Sequence, residues 1–452
     1  MLNRPFDFHK YLDDLVDKKM TMTRTFLLFR EIASDKNPAS PCKPKPQDYI
    51  APWPRTGAGA ALDGQPKFDL EKWNPEYFQR LHSFLEAASR RGIIVELTLF
   101  SNTYADNIWE LNPFRAQNNK QNLEKISWQD YLSLKNPELL RRQKDYVRKI
   151  VQETSQYDNI YYEIANEPGG DIPNHVSHAD IDLWQSEIAK ILREELVRLN
   201  RPHLISGQQA FSYTPRFRFP LDETFSQPIF DIVNVHPLPD IVFSGKTYQL
   251  GNFMSKELEL SNLAQFSRDV FPERKPVVQD EDNTASIYRD AVGWTIHRKR
   301  AWTSLLNGSH YDYIDFSITV GSEDGTISSR QQIRKWLQNL SEFMSSFDFV
   351  HSSLNTAWVN DLPAHVIASG LSVQGRDYVI YLADGREVTD PTAGKPINGT
   401  IRLSLPVGRF AVSLYSPVSG EYSPAISVDG GHDTFLTVPE FENDIVIRAR
   451  RI

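Results

Sequence analysis

The chain holds one cysteine, Cys42, among 452 residues. A single thiol excludes an intramolecular disulfide and any multi-cysteine metal site, and Cys42 sits in a proline-rich stretch where it reads as incidental. There is no run of 18 apolar residues, so no transmembrane helix is expected. The opening Met-Leu-Asn-Arg-Pro-Phe has no apolar signal core. Positive charge is also short: 50 Lys and Arg face 58 Asp and Glu, a net charge of −8, which argues against nucleic acid as a partner. Three Asn-X-Ser/Thr sequons, at Asn307, Asn339 and Asn398, matter only on a eukaryotic secretory route.

The length is enough for a large core and two domains. From about residue 20 to 345, strand-like runs alternate with amphipathic helices, the pattern of a parallel sheet with crossover helices. The strands fall at 22–29, 92–100, 160–166, 203–207, 230–236, 276–281 and 311–318. Asn74-Pro75-Glu76 and Asn136-Pro137-Glu138 each open a helix, with Asn as cap and Pro at the first helical position. Tyr77, Phe78, Leu81, Phe84, Leu85 and Ala88 form the apolar stripe of the first. A longer helix over 179–199 carries Leu183, Trp184, Ile188, Ile191, Leu192 and Leu196 at helical spacing, all expected in the core. From about 350 short alternating runs separated by Gly, Pro, Asp and Asn turns take over, which predicts an all-β sandwich. The expected domains are therefore 1–348 and 349–452.

Residues 159–168, Asn-Ile-Tyr-Tyr-Glu-Ile-Ala-Asn-Glu-Pro, carry the most chemistry. A β-branched and aromatic run stops at Asn166-Glu167-Pro168, which puts a carboxylate at the tip of a buried strand. In a (β/α)8 barrel, strand tips hold the catalytic groups. A second short strand, 276–281, ends in Asp280-Glu281-Asp282. Strand alternation sets Asp280 and Asp282 on the face opposite Glu281 and puts Gln279 with Glu281. Two carboxyl groups flanking a sugar carbon are what glycoside hydrolysis requires. Aromatics make up 12% of the chain, with nine Trp and eighteen Tyr, material for sugar stacking or for core.

These residues resemble the clan A glycoside hydrolases of the family 5 type, retaining enzymes on a (β/α)8 barrel. Their signature is an Asn-Glu pair ending strand four and a Glu ending strand seven. Asn166-Glu167 matches the first, and Glu281, five residues after Pro276, matches the second. The resemblance covers about residues 5–345, and the trailing sandwich is similar to a domain often appended to such barrels. It implies Glu167 as acid/base and Glu281 as nucleophile, with carboxyls about 5–5.5 Å apart for retention. It further implies that Asn166 bonds the sugar 2-hydroxyl, that Arg24 keeps the nucleophile ionised, and that His236 ends strand six. No metal or organic cofactor is implied, and the partner is a carbohydrate, a plant or bacterial β-glycan or its oligosaccharides. Loop residues Asn102, Tyr104, Asp106 and Trp109 after strand three and Tyr49 and Trp53 after strand two are candidate substrate contacts, the aromatics serving as sugar platforms or as loop packing, while Glu323 and Asp324 after strand eight read as loop caps ahead of sugar contacts.

Three departures stand out. His236 is followed by Pro237-Leu238, where the family has a Tyr two residues on. Strand eight reads Asp315-Phe316-Ser317 in place of a Trp. The helix-like stretch 8–18 precedes the first visible strand, so the barrel shows seven strands and its first is apparently missing. Open edges of that kind call for cover, for which a homo-oligomer is one route. The compartment is left open: cytoplasmic as given, secreted or periplasmic if a segment precedes. Two other readings compete: a metal hydrolase using Asp280, Glu281 and Asp282, and a degenerate, non-catalytic carbohydrate-binding barrel. The sandwich could bind carbohydrate or simply buttress the barrel.

Overall fold

A computed structural model describes residues 2–29, 44–214, 217–237, 240–251, 257–282, 291–313 and 327–452, with positions 57, 291–293, 313 and 327–330 in backbone only. Cys42, Leu238, Asp315, Phe316, Ser317, Glu323 and Asp324 lie outside the described residues. The chain divides into two compact units. One is built on Met1–Asn234 with Val242–Gly245, the other on Val235–Ile241, Lys246–Ser317 and Asp324–Ile452.

In the first unit, helix α1 (Phe8–Asp17) leads into strand β1 (Met22–Phe26), and no described strand precedes it. Strands β2 (Ile94–Ser101), β3 (Ile160–Asn166), β4 (Ile205–Gly207) and β5 (Ile232–Val235) follow. Each pairs in parallel with the one before it in the chain. Helices α2 (Pro75–Arg90), α3 (Pro137–Thr154) and α4 (His178–Leu199) fill the three crossovers from β1 to β4. Parallel strands covered on both faces read as continuous apolar runs, and every residue of β3 is buried.

The helix starts behave as their sequences predict. Asn74 accepts a hydrogen bond from the Glu76 amide and Asn136 from the Leu139 amide, each ahead of a proline that has no amide to satisfy. Helix α4 is opened by a reciprocal capping box between Ser177 and Asp180. The expected stripe on α2 is buried throughout. On α4 one member fails: Leu183 is 60% exposed. The buried set there includes Ile181, Trp184, Ile188, Ile191 and Leu192, and Leu183 falls on the far side of it.

In the second unit, β6 (Val277–Asp282) and β7 (His310–Tyr313) pair in parallel. Helices α5 (Leu260–Val270), α6 (Ala291–Leu305) and α7 (Ile327–Ser345) accompany them. The remainder is all-β: β8 (Val366–Val373), β9 (Asp377–Asp384), β10 (Ile397–Leu403), β11 (Arg409–Tyr415), β12 (Ile426–Asp429), β13 (Thr434–Phe441) and β14 (Asp444–Arg451). One sheet runs Ser353–Leu354, β8, β9, β14, β11, β12, and the other Val359–Asn360, β10, β13. Tyr378, Ile380 and Leu382 of β9 join Ile401, Leu403, Phe410 and Val438 in a common apolar core.

The alternate residues of β9, Val379 and Tyr381, are just as buried. Helices cover them. Trp302 of α6 stacks on Tyr381 with ring centres 5.5 Å apart. Asn307 donates to Ser369, and Asn339 of α7 donates to the carbonyls of Pro417 and Val418. This face of the sandwich is therefore a buttress for helices. Two of the three sequons are also spent in this packing, since Asn307 and Asn339 are fully buried.

Three consecutive cations in α6 are buried side by side. Arg298 forms a two-pronged pair with Asp444 at 2.8 and 3.0 Å. Lys299 donates to the Asp384 carbonyl, and burial lowers its pKa. Arg300 pairs with Asp282 at 2.6 Å and donates to the Leu258 carbonyl. A buried cation without an acceptor is strongly disfavoured, so these contacts fix α6 against β14, β9 and the tip of β6 at once.

Candidate active site

Strand β3 delivers its terminal groups to a dense polar cluster. Glu163, fully buried, accepts from Arg24 Nε at 2.8 Å and Arg24 Nη2 at 2.6 Å. Thr98 donates to the same carboxyl at 2.6 Å and Asn234 at 3.3 Å. Arg24 also donates to Asn166 Oδ1 at 2.8 Å. Arg24 is thus tied to both Glu163 and Asn166. A planar guanidinium suits this fork.

Asn166 is heavily committed. Its Nδ2 donates to Tyr104 Oη at 2.9 Å and to Ser101 Oγ at 3.3 Å, while Oδ1 accepts from Arg24. A contact to a sugar hydroxyl, as the resemblance implies, has to use the remaining lone pair of Oδ1. Tyr104 donates to Glu167 Oε2 at 2.5 Å. Asn102 holds Tyr104 by accepting from its amide at 3.2 Å, and donates to Tyr213 Oη at 2.7 Å. Tyr213 is pushed up to about 12 by burial, with the Glu167 charge adding to the rise. The Glu167 amide donates to Gln208 Oε1.

The backbone at Glu167 is left-handed, with φ of 43°. A non-glycine residue there is uncommon and is held by its surroundings. Pro168 follows, and then two glycines whose absence of a side chain is a steric necessity. A Cβ on Gly169 would lie 2.6 Å from the Tyr213 ring and 2.7 Å from the Phe211 ring. One on Gly170 would lie 2.5 Å from the His178 amide nitrogen. The Glu-Pro-Gly-Gly segment is therefore pressed between 211–213 and the start of α4.

The end of β6 repeats the device. Its register against β7 shifts between Gln279 and Asp282, and Glu281 has φ of 51°. The extra residue is a bulge. It overturns the expected alternation: Asp280 and Glu281 both approach His236, at 3.9 Å from Nε2 and Nδ1 respectively. The Glu281 amide donates to Asp280 Oδ1 at 3.0 Å. Asp282 points instead to Arg300 in the fully buried pair described above. That pairing removes Asp282 from any shared three-carboxylate metal set.

Three expected platforms are core. Trp53 is 2% exposed, stacked on Trp73 at 5.9 Å and packed edge-on against Phe114 at 4.9 Å. Trp109 is 1% exposed and tilts against Tyr131 at 5.0 Å. Tyr49 is buried against Phe68. None of the three presents a face for a sugar. Sequence reasoning also missed Glu163, Gln208, Tyr213 and Asn234. Glu163 had a signal, a charge in the middle of an apolar strand, since buried acids are nearly always paired.

A family model described as a domain of unknown function (DUF6298) matches residues 45–187, which includes Asn166 and Glu167. No curated protein matches the chain. Among solved structures, a glycoside hydrolase family 5 protein from Bacteroides vulgatus matches with a TM-score of 0.63 at 13% identity, over 100% of this chain and 87% of that one. A second structure, described as a glycoside hydrolase, matches with a TM-score of 0.62 at 12% identity over 100% and 89%. An endo-1,4-β-mannanase from Rhizomucor miehei matches with a TM-score of 0.51 at 15% identity over 76% and 92%. The chain shares the barrel fold of these structures. These likenesses establish that fold, and the seven-stranded sheet among the described residues agrees with the sequence reading.

Proposed function

We propose that the protein is a retaining glycoside hydrolase of β-linked glycans or oligosaccharides, with Glu167 as acid/base and Glu281 as nucleophile. One observation carries the reading. Two glutamates end buried parallel strands, each in a left-handed backbone conformation that its surroundings must enforce. Strain of this kind collects at functional positions, and solved structures sharing this fold are glycoside hydrolases.

In this mechanism Glu281 attacks the anomeric carbon while Glu167 gives its proton to the departing glycosidic oxygen. The C–O bond breaks and a glycosyl ester forms on Glu281. Glu167, now a carboxylate, takes a proton from water, whose oxygen attacks the same carbon and releases Glu281. His236, within 3.9 Å of Glu281, is placed to orient the nucleophile.

The test is hydrolysis of aryl β-glycosides (mannoside, glucoside, galactoside, xyloside, arabinoside) by wild type, Glu167→Gln and Glu281→Gln, with the first-formed anomer read by proton NMR. Cleavage with retention, lost in both variants, supports the reading. Inversion, or variants as active as wild type, removes it. Sugar binding without turnover in wild type would favour the non-catalytic alternative.

A further inference from the structure

We infer that Arg24, Asn166 and Tyr104 form a one-way chain of hydrogen-bond donors that ends on Glu167 Oε2 and sets the ionisation of that carboxyl. The inference rests on the acid/base role proposed for Glu167. It makes Arg24 and Tyr104 positioning residues for the acid.

The direction follows from donor chemistry alone. Arg24 has only N–H donors. Its contact with the Asn166 side chain at 2.8 Å must therefore meet the carbonyl oxygen, which fixes the amide orientation. The amide nitrogen of Asn166 then faces Tyr104 Oη at 2.9 Å and can only donate to it. With Oη accepting there, the one hydroxyl proton of Tyr104 is directed to Glu167 Oε2 at 2.5 Å. Reversing any link would leave two donors or two acceptors facing each other at the next one. Glu163 anchors the far end by taking two N–H groups of Arg24.

The chain is also mechanically fixed. Tyr104 stands at φ of 60°, its amide is held by Asn102, and its ring meets Phe29 edge-on at 6.0 Å. Aligned donors polarise one another in a low-dielectric interior, so the positive end at Arg24 acts on Glu167 through two neutral groups. Tyr213 is a further titratable group beside Glu167 in this unit, and it stays neutral across the working range. Occupied by Tyr104, Oε2 keeps accepting in both protonation states. A donor aimed at a carboxylate also favours its ionised form, which keeps the group available as base in the second step.

Tyr104→Phe removes the last link and keeps the ring. Two measurements test it. The ionisation of Glu167, assigned by comparison with Glu167→Gln and followed by carboxyl carbon NMR, needs no substrate. It is expected to move up by about one unit in Tyr104→Phe, a tenfold change. With aryl glycosides of graded leaving groups, the variant is expected to move the basic limb of kcat/KM to higher pH and to steepen the dependence on leaving-group pKa, with KM unchanged. A Tyr104→Phe protein with a Glu167 titration and pH profile superimposable on wild type would overturn the chain. If the titration moves but Glu167→Gln still cleaves poor leaving groups at the wild-type rate, the chain stands as geometry and the acid assignment of Glu167 is what fails, taking the positioning role with it.

Discussion

The tips of β3 and β6 use the same backbone device and opposite supports. Glu167 and Glu281 are both left-handed residues at strand ends. Around Glu167 the support is a file of neutral groups, Asn166, Tyr104, Gln208 and Tyr213, anchored at its base by the Arg24–Glu163 pair. Around Glu281 the support is ionisable side chains: Asp280, His236, and the Asp282–Arg300 pair one residue away. The contrast fits the roles proposed above. A group that must exchange a proton twice per cycle needs neighbours that hold it without fixing its charge. A nucleophile needs to be held still.

The largest expected separation between the two ends is kinetic. Glu281→Gln should abolish turnover on every leaving group. Glu167→Gln should cost about 10²–10⁴-fold in kcat/KM on poor leaving groups and little in kcat/KM on dinitrophenyl glycosides, where kcat falls because the second step has lost its base. Equal losses on both substrate types would erase the distinction between the two carboxylates.

Next come the buried pairs. Glu163→Gln in the first unit and Asp282→Asn in the second each leave an arginine buried with a weaker partner. Breaking such a pair is expected to lower unfolding free energy by about 3–5 kcal/mol. Urea unfolding should place both variants in that range, and a loss confined to one would show that only one end depends on its ion pair.

Stability against pH separates the units by sign. Burial pushes His297 of the second unit down to about 4. Its contribution is full above the unfolded value near 6.5 and is lost as pH falls toward 4, about 3 kcal/mol over that window. Burial pushes Asp182 of the first unit up to about 8. Its contribution is full below the unfolded value near 3.9 and is lost as pH rises through 8. His297→Gln should remove the rise in stability from about pH 4 to 6.5, and Asp182→Asn should remove the fall from about pH 4 to 8; the two oppose each other below 6.5, so the slope between about 6.5 and 8 reports Asp182 alone.

The smallest effect belongs to the loop behind Glu167. Gly169→Ala drives a methyl into Tyr213 and Phe211. A loss of about 1–3 kcal/mol is expected, with the tyrosine ring displaced. An alanine variant as stable as wild type, by thermal melting, would show that this segment is less tightly pressed than the strand end it follows.

What the sequence made legible was local. The run Ile-Tyr-Tyr-Glu-Ile-Ala-Asn-Glu ended by proline marks a buried strand and its tip, and Asn-Pro-Glu marks two helix starts, because each is decided within a few residues. The pairings were not. Arg24 could be placed on a strand from its neighbours, but its partner Glu163 lies 139 residues away. The bulge at Glu281 depends on the register against β7, which only the partner strand sets. Trp53 and Trp109 read as loop aromatics, and nothing local says that the loops fold back to give those rings a core of their own.

The buried run Arg298-Lys299-Arg300 has a consequence for the order in which the chain can mature. As translation proceeds, residues 277–305 emerge well before Asp384 and Asp444, which supply acceptors for two of the three cations. Until residue 444 has been made, helix α6 carries charges it cannot bury, and Arg300 has no fixed platform from which to grip Asp282. The tip of β6 is then among the last parts of the protein to set. A nascent chain would finish the tip of β3 early and the tip of β6 only after the distal sheet has formed, so a fragment stopped before that sheet would be born with the backbone around Glu281 unset.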